Sequence, residues 1–189
     1  MDKVELRHEL RSRVAELSED QRSEKAKLAY QYLINTEEYK KASVVMIYLA
    51  LPHEIETTLV ILHSWQQGKT IAVPKVSWQQ RHMIPVEISS LEVGFSTEES
   101  GLKNPITGAP MPFEEIDLVV TPGLGFDRHG NRLGKGGSYY DRFFGSSLLH
   151  AKKCGYAFSD QIVESVPLEE HDQPVDFLVT DEGVIECSN

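Results

Sequence analysis

Cysteine is scarce in this chain. Cys154 and Cys187 are the only two among 189 residues, and neither belongs to a CxxC pair or to a Cys/His cluster of metal-binding spacing. That excludes a disulfide-dense scaffold and a structural zinc site, and it favours two free thiols over a single disulfide. Long hydrophobic runs are also missing. The longest, Val44 to Leu51, falls far short of the ~20 apolar residues that span a bilayer. The first residues, MDKVELRHELRSRVAEL, are charged throughout and contain no apolar core of a secretory signal. Basic charge is in deficit, with 19 Lys and Arg against 29 Asp and Glu and a net charge of −10. A broad nucleic-acid or anionic-membrane surface is therefore excluded, although one local basic pocket is not. The expectation is a soluble cytoplasmic monomer without nucleic-acid or membrane partners.

Hydrophobic residues make up 40% and charged residues 25%, ordinary proportions for a globular protein of one domain, here residues 1–189. Leu6, Leu10, Val14 and Leu17 form a helical stripe over residues 3–17. Ser18 and Gln21 form a capping box that opens a second helix through Ile34, and Thr36 caps a short turn. Ser43–Leu51 reads as a buried strand, Thr57–Gln67 as a helix ended by Gly68, and Thr70–Val76 as a strand, which makes a βαβ unit. A second unit follows: a strand at Asp117–Thr121, a loop over 122–137, a helix from Ser138 to about His150, and a strand at Lys153–Phe158. His82–Ile88 fits a further strand, 89–115 a connection, and Phe177–Thr180 with Val184–Glu186 a terminal hairpin or edge strands. The architecture expected is a three-layer, Rossmann-like α/β sandwich, with helices on both faces of a mostly parallel sheet. Ligands in such folds bind beyond the carboxyl ends of the strands, which directs attention to the loops after Ala50, Val76 and Thr121.

The loop after Thr121 is the most informative stretch. It reads PGLGFDRHGNRLGKGGSYYD and carries six glycines, at 123, 125, 130, 134, 136 and 137. Glycines let a ligand approach the backbone, Arg132 and Lys135 add positive charge, and the following helix start offers free N–H groups. Together they form a candidate phosphate cradle. It is not a P-loop, since GNRLGKG is one residue short and lacks the Ser/Thr, and no GxGxxG occurs.

The string PGLGFDRHGNRLG followed by YYDRFF resembles the characteristic motif of 5-formyltetrahydrofolate cyclo-ligases, also called methenyltetrahydrofolate synthetases. Lys3-x-x-x-Arg7, Leu49-x-x-x-x-Glu54-Ile-Glu-Thr and Pro174-Val-Asp176 fall in the expected order, so the resemblance covers most of the chain. It implies a Rossmann-like sandwich related to sugar-phosphate isomerases and CoA transferases. It also implies ATP and 5-formyltetrahydrofolate as substrates, with Mg²⁺. By that resemblance Lys3, Arg7 and Arg132 to Tyr140 (Arg132, Leu133, Gly134, Lys135, Gly136, Gly137, Ser138, Tyr139, Tyr140) meet ATP, with Arg132, Lys135 and Tyr140 as the catalytic set. Leu49, Glu54 and Lys135 to Tyr139 meet the folate, and Asp141 with Asp176 holds Mg²⁺. The chain departs from the family at Lys135-Gly-Gly-Ser138, where Tyr-Gly-Gly-Gly or Arg-Gly-Lys-Gly is usual. Ser138 either crowds the ligand or serves as an N-cap.

Each residue also has a plainer role. Lys3 and Arg7 border the apolar stripe and can flank the core by snorkelling. Glu54 and Glu56 can favour a helix N-terminus, and Asp141 the next one, by about 0.5 kcal/mol. Leu49 can be core, and of Tyr139 and Tyr140 one faces the site while the other can be core. His53, His129 and His171 lie in loops with no dyad partner. Chemically, phosphoryl transfer from ATP onto the formyl oxygen would activate its carbon for attack by N10, and no nucleophilic side chain is needed. Two other functions remain open: an isomerase- or CoA-transferase-like enzyme using a carboxylate without ATP, and a non-catalytic reduced-folate binding protein.

Overall fold

The computed structural model describes residues 1–188. Three helices open the chain: α1 (Lys3–Ala15), α2 (Glu19–Ile34) and α3 (Glu37–Lys41). Asp2 and Glu5 form a capping box on α1, as Ser18 and Gln21 do on α2. Then come β1 (Val44–Ile47), α4 (Thr58–Gln66), β2 (Thr70–Ser77) and β3 (His82–Ile88). A small hairpin of β4 (Phe95–Thr97) and β5 (Lys103–Pro105) interrupts the connection. The second half holds β6 (Leu118–Thr121), the short ribbon β7 (Gly125–Phe126) and β8 (Arg132–Leu133), α5 (Tyr139–Phe144), β9 (Lys152–Tyr156), β10 (Phe177–Thr180) and β11 (Gly183–Glu186).

The main sheet has seven strands in the order β11-β10-β9-β6-β1-β2-β3. The five inner strands are parallel, and the two edge strands run antiparallel to their neighbours. The chain leaves β1 toward β2 on one side and reaches β6 on the other, so the topological switch point lies between β1 and β6. Alternation sorts the strand residues between two cores. Val45 and Ile47 of β1 pack with Ala29 and Leu33 of α2 and with Val60 and Ile61 of α4. Met46 faces the opposite side, with Phe143 and Phe144 of α5. The layers are three, as expected, but α5 stops at Gly145 and has six residues rather than reaching His150. Loops cover the rest of that face. β1 is also shorter than the apolar run suggests, because Tyr48 to Leu51 leave the sheet at its carboxyl end.

A third cluster decides where the site forms. Leu6 and Leu10 of α1 pack on Leu124 and Leu133 of the glycine-rich loop and on Val166. Contact is so close that a Cβ at Gly125 would stand 2.4 Å from Leu10 Cδ1. The buried Asp127 carboxylate braces the same loop, accepting hydrogen bonds from the N–H groups of His129, Asn131 and Val166 and from the Asn131 amide. Gln161 Nε2 donates to the carbonyls of Gly123 and Leu124. Among the described residues no helix is long and apolar enough to cross a membrane.

Leu10→Ala is expected to destabilise the fold by about 2–5 kcal/mol, because it empties a fully buried site at the α1–loop contact. Urea denaturation should show this as a lower midpoint at unchanged slope.

Candidate active site

Loops at the carboxyl ends of β1, β2 and β6 surround one cavity of about 820 Å³. Its size suits substantial small-molecule ligands. The cavity spans the switch point between β1 and β6 and is closed on one side by the start of α1. Lys3, Arg7, Leu49, Glu54, Arg132, Gly134 to Tyr140 and Asp141 all line it, although they come from three separate parts of the sequence. Leu133 does not; its side chain is buried under α1, and it fixes the height of its neighbours.

At one end lie the cations. Arg7 Nε donates to the Gly134 carbonyl at 2.9 Å, tying α1 to the cradle. Lys3 Nζ pairs with Asp172 at 2.7 Å and with Glu169 at 3.5 Å. Burial by itself would raise the Asp172 carboxyl, but the hydrogen bond from Lys3 and that from the Glu169 N–H outweigh it and hold the group below its usual value. Arg132 Nη1 donates to the Pro122 carbonyl, its guanidinium lies 5.1 Å from the Tyr140 ring centroid, and its Nε is buried without a partner. Burial lowers its pKa while Asp141, Tyr140, Asp172 and Glu54 oppose that, so it remains a fixed positive charge. Burial, aided by Glu54, pushes the Tyr140 hydroxyl well up, which makes it a neutral hydrogen-bonding group.

Glu54 stands at the centre. Its Oε1 accepts from the Leu51 N–H at 2.8 Å and its Oε2 lies 3.8 Å from Lys135 Nζ. Burial raises the Glu54 carboxyl against the opposing pull of Lys135, Leu51 and Arg132. Burial likewise lowers the Lys135 ammonium against the pull of Glu54. Glu56 is different: its carboxylate accepts from Thr57 and Thr58 at the start of α4, the helix-capping role.

Three expectations need correction. Asp176 does not reach the cavity. It sits at the amino end of β10, the opposite edge of the sheet, where its Oδ2 accepts from the Lys153 N–H at 2.8 Å. Ser138 is no ordinary N-cap: its φ is 58°, in the left-handed region, and its side chain makes no capping bond. With α5 only six residues long, the cradle consists chiefly of loop amides rather than a long helix dipole. Tyr139 and Tyr140 both line the cavity, and both also pack against the core cluster of Phe143 and Phe144.

Other lining residues were missed: Asp172 and Glu169, which hold Lys3, and Tyr48, Val76, Trp78 and Met83 on the apolar wall. Nothing local marks Asp172 apart from other acids in LEEHDQP. Trp78 gave one usable signal, a large aromatic just beyond a strand in a polar stretch.

The model of the 5-formyltetrahydrofolate cyclo-ligase family matches residues 1–181. The 5-formyltetrahydrofolate cyclo-ligase of Mus musculus is 31% identical over 189 residues, covering 94% of this chain and 93% of that protein. That of Escherichia coli strain K12 is 27% identical over 188 residues, covering 94% and 99%. The solved 5,10-methenyltetrahydrofolate synthetase of Aquifex aeolicus superposes with a TM-score of 0.85 at 29% identity, over 100% of this chain and 94% of that one.

Two expectations follow from the geometry. Folded protein holds the Glu54 proton that the unfolded chain releases, so stability falls as pH rises from the unfolded pKa through the raised folded one. Glu54→Gln should therefore gain thermal stability relative to the parent as pH climbs above the ordinary glutamate value of about 4, while losing activity. Gly136 has φ 111°, and a Cβ there would meet the Arg7 guanidinium at 3.9 Å, an ordinary contact. Gly136→Val should lower activity through backbone strain with a stability cost of about 1–3 kcal/mol, compared by melts and turnover.

Proposed function

The chain belongs to the 5-formyltetrahydrofolate cyclo-ligase family, and on that premise we propose that its cavity holds ATP and 5-formyltetrahydrofolate together and uses the first to close a ring in the second. The observation that carries this reading is the meeting, in one cavity, of a cationic glycine-rich cradle, a buried carboxylate and an apolar wall. The formyl oxygen takes the γ-phosphoryl group, ADP departs, and the carbon becomes electrophilic. N10 attacks it and gives up its proton, and the phosphate leaves with the former formyl oxygen, which completes 5,10-methenyltetrahydrofolate.

The protein's work in this scheme is positioning and charge stabilisation. Lys3, Arg7 and Arg132 surround the phosphates, and the amides of Gly134 to Ser138 follow their outline. Asp172 and Glu169 keep the Lys3 ammonium at a set position instead of letting it collapse onto the surface. Lys135 stands between the cradle and Glu54, where it can follow charge as it moves from ATP to the folate. Tyr140 packs on Arg132 and limits its movement. Leu49 and Glu54 hold the folate near the formyl group.

Magnesium fits one part of this arrangement. Asp141 lines the cavity, and only its Oδ1 is engaged among the described residues, by the Gln173 N–H at 3.0 Å. Mg²⁺ commonly takes one or two carboxylates together with substrate phosphates and water. Asp141 would hold it, and the ion would supply charge neutralisation for the triphosphate. Asp176 does not fit that role, because its carboxylate is committed at the far edge of the sheet.

The test is magnesium-dependent release of ADP upon addition of 5-formyltetrahydrofolate. Turnover without ATP would support an isomerase- or transferase-like enzyme, and binding without turnover a folate carrier. Asp141→Asn should raise the Mg²⁺ needed for half-maximal rate at least severalfold with little change in melting temperature. Asp176→Asn should do the reverse, lowering the melting temperature at an unchanged metal requirement.

A further inference from the structure

The cavity has a second end that the phosphate chemistry does not use. It lies at the carboxyl end of β2, two strands away from β6, and is lined by Val76, Trp78, Met83, Leu102, Lys103 and Tyr139. Trp78 is 52% exposed, unusual for the largest apolar side chain in a chain with only two tryptophans. Yet it is held in place. Its Nε1–H donates to Glu98 at 2.7 Å, and its ring meets Tyr139 edge to face, with centroids 5.5 Å apart and planes at 88°. A T-shaped pair uses only one of its four ring faces. The β4–β5 hairpin that supplies Glu98, Leu102 and Lys103 is itself fixed, since the Asn104 amide bonds both the N–H and the carbonyl of Val76. Lys103 is exposed and makes no ion pair among the described residues.

We propose that Trp78 and Tyr139 form the platform for the p-aminobenzoyl ring of the folate, and that Lys103 receives the glutamate carboxylate beyond it. The proposal rests on the cyclo-ligase reading and adds the residues that choose the folate's tail. Two features favour the folate over the adenine of ATP. The α1 cations that meet phosphate approach from the β9 side, where α1 packs beside residues 159–161, away from β2. A platform followed by a free mouth cation also matches an aromatic ring that ends in a carboxylate, whereas adenine carries no anion. Exposure of Trp78 is then the cost of a preformed stacking surface.

Steady-state kinetics and tryptophan fluorescence of the whole enzyme test this. Trp78→Ala should raise KM for 5-formyltetrahydrofolate about tenfold or more, with KM for ATP unchanged. Trp78→Phe should restore most of the affinity. Folate binding should quench the tryptophan fluorescence of the parent, and that quenching should shrink in Trp78→Phe, where Trp65 alone reports. Lys103→Ala should reduce the preference for folates with additional glutamates, measured with mono- and triglutamate forms. A rise in KM for ATP rather than folate would assign the platform to adenine and overturn the proposal. Unchanged KM values in both Trp78 variants, each checked by melting, would also overturn it. Absence of any folate turnover in the parent enzyme would instead count against the cyclo-ligase reading.

Discussion

The contact between Leu10 and Gly125 is the constraint on which the site depends. The first helix has little reason of its own to stand beside a loop more than a hundred residues away. It does so because Leu6 and Leu10 find their apolar partners in Leu124, Leu133 and Val166, and because position 125 has no side chain to keep them apart. Once that seam closes, Lys3 and Arg7 are carried to the rim of the cavity, and the Arg7–Gly134 hydrogen bond locks them there. Hydrophobic burial thus places charge, at a position where charge by itself would have preferred water.

The cavity holds several groups against their intrinsic preferences. Glu54, Lys135 and Arg132 all have pKa values displaced by burial in the direction that disfavours their charge. Ser138 sits in a left-handed conformation that costs an ordinary residue about 1–2 kcal/mol. None of this helps folding. Each is tolerated because the surroundings over-determine it: Asp127 braces the glycine-rich loop with four hydrogen bonds, and Gln161 holds its first turn. Such concentration of strain and desolvated charge in one place is characteristic of a working site.

The two ends of the cavity divide the labour by physical character. The end near α1 is cationic, with donors converging on a concave surface. The end near β2 is apolar and aromatic, with a rigid hairpin behind it. Between them the Glu54–Lys135 pair couples the two, since each member responds to a change of charge on the other. A divided surface of this kind, in a space that excludes much of the solvent, strengthens the electrostatic effect of each charge within it.

By itself the sequence determined the order of the main elements, the parallel core of the sheet and the glycine-rich cradle, because these follow from short-range periodicity and turn chemistry, whereas the hairpin of β4 and β5 and the ribbon of β7 and β8 were not legible in it. The stripe at Leu6, Leu10 and Val14, the capping box at Ser18 and the run at Val44 are visible without any partner. It also determined most of the cavity's charged lining once the motif was recognised, down to Glu54 and Asp141. Tertiary structure alone decided the matters of distance. It placed Asp176 at the wrong edge of the sheet for the metal role expected of it, since a position before β10 is remote from the carboxyl ends where ligands gather. It gave Ser138 a left-handed backbone that no capping rule anticipates, ended α5 at Gly145, and set Asp172 on Lys3 from 169 residues away. It turned Trp78 from an unremarked residue after a strand into a wall of the cavity. The reason is the same in each case: local patterns encode which face of an element is apolar, whereas which elements meet depends on packing across the whole chain.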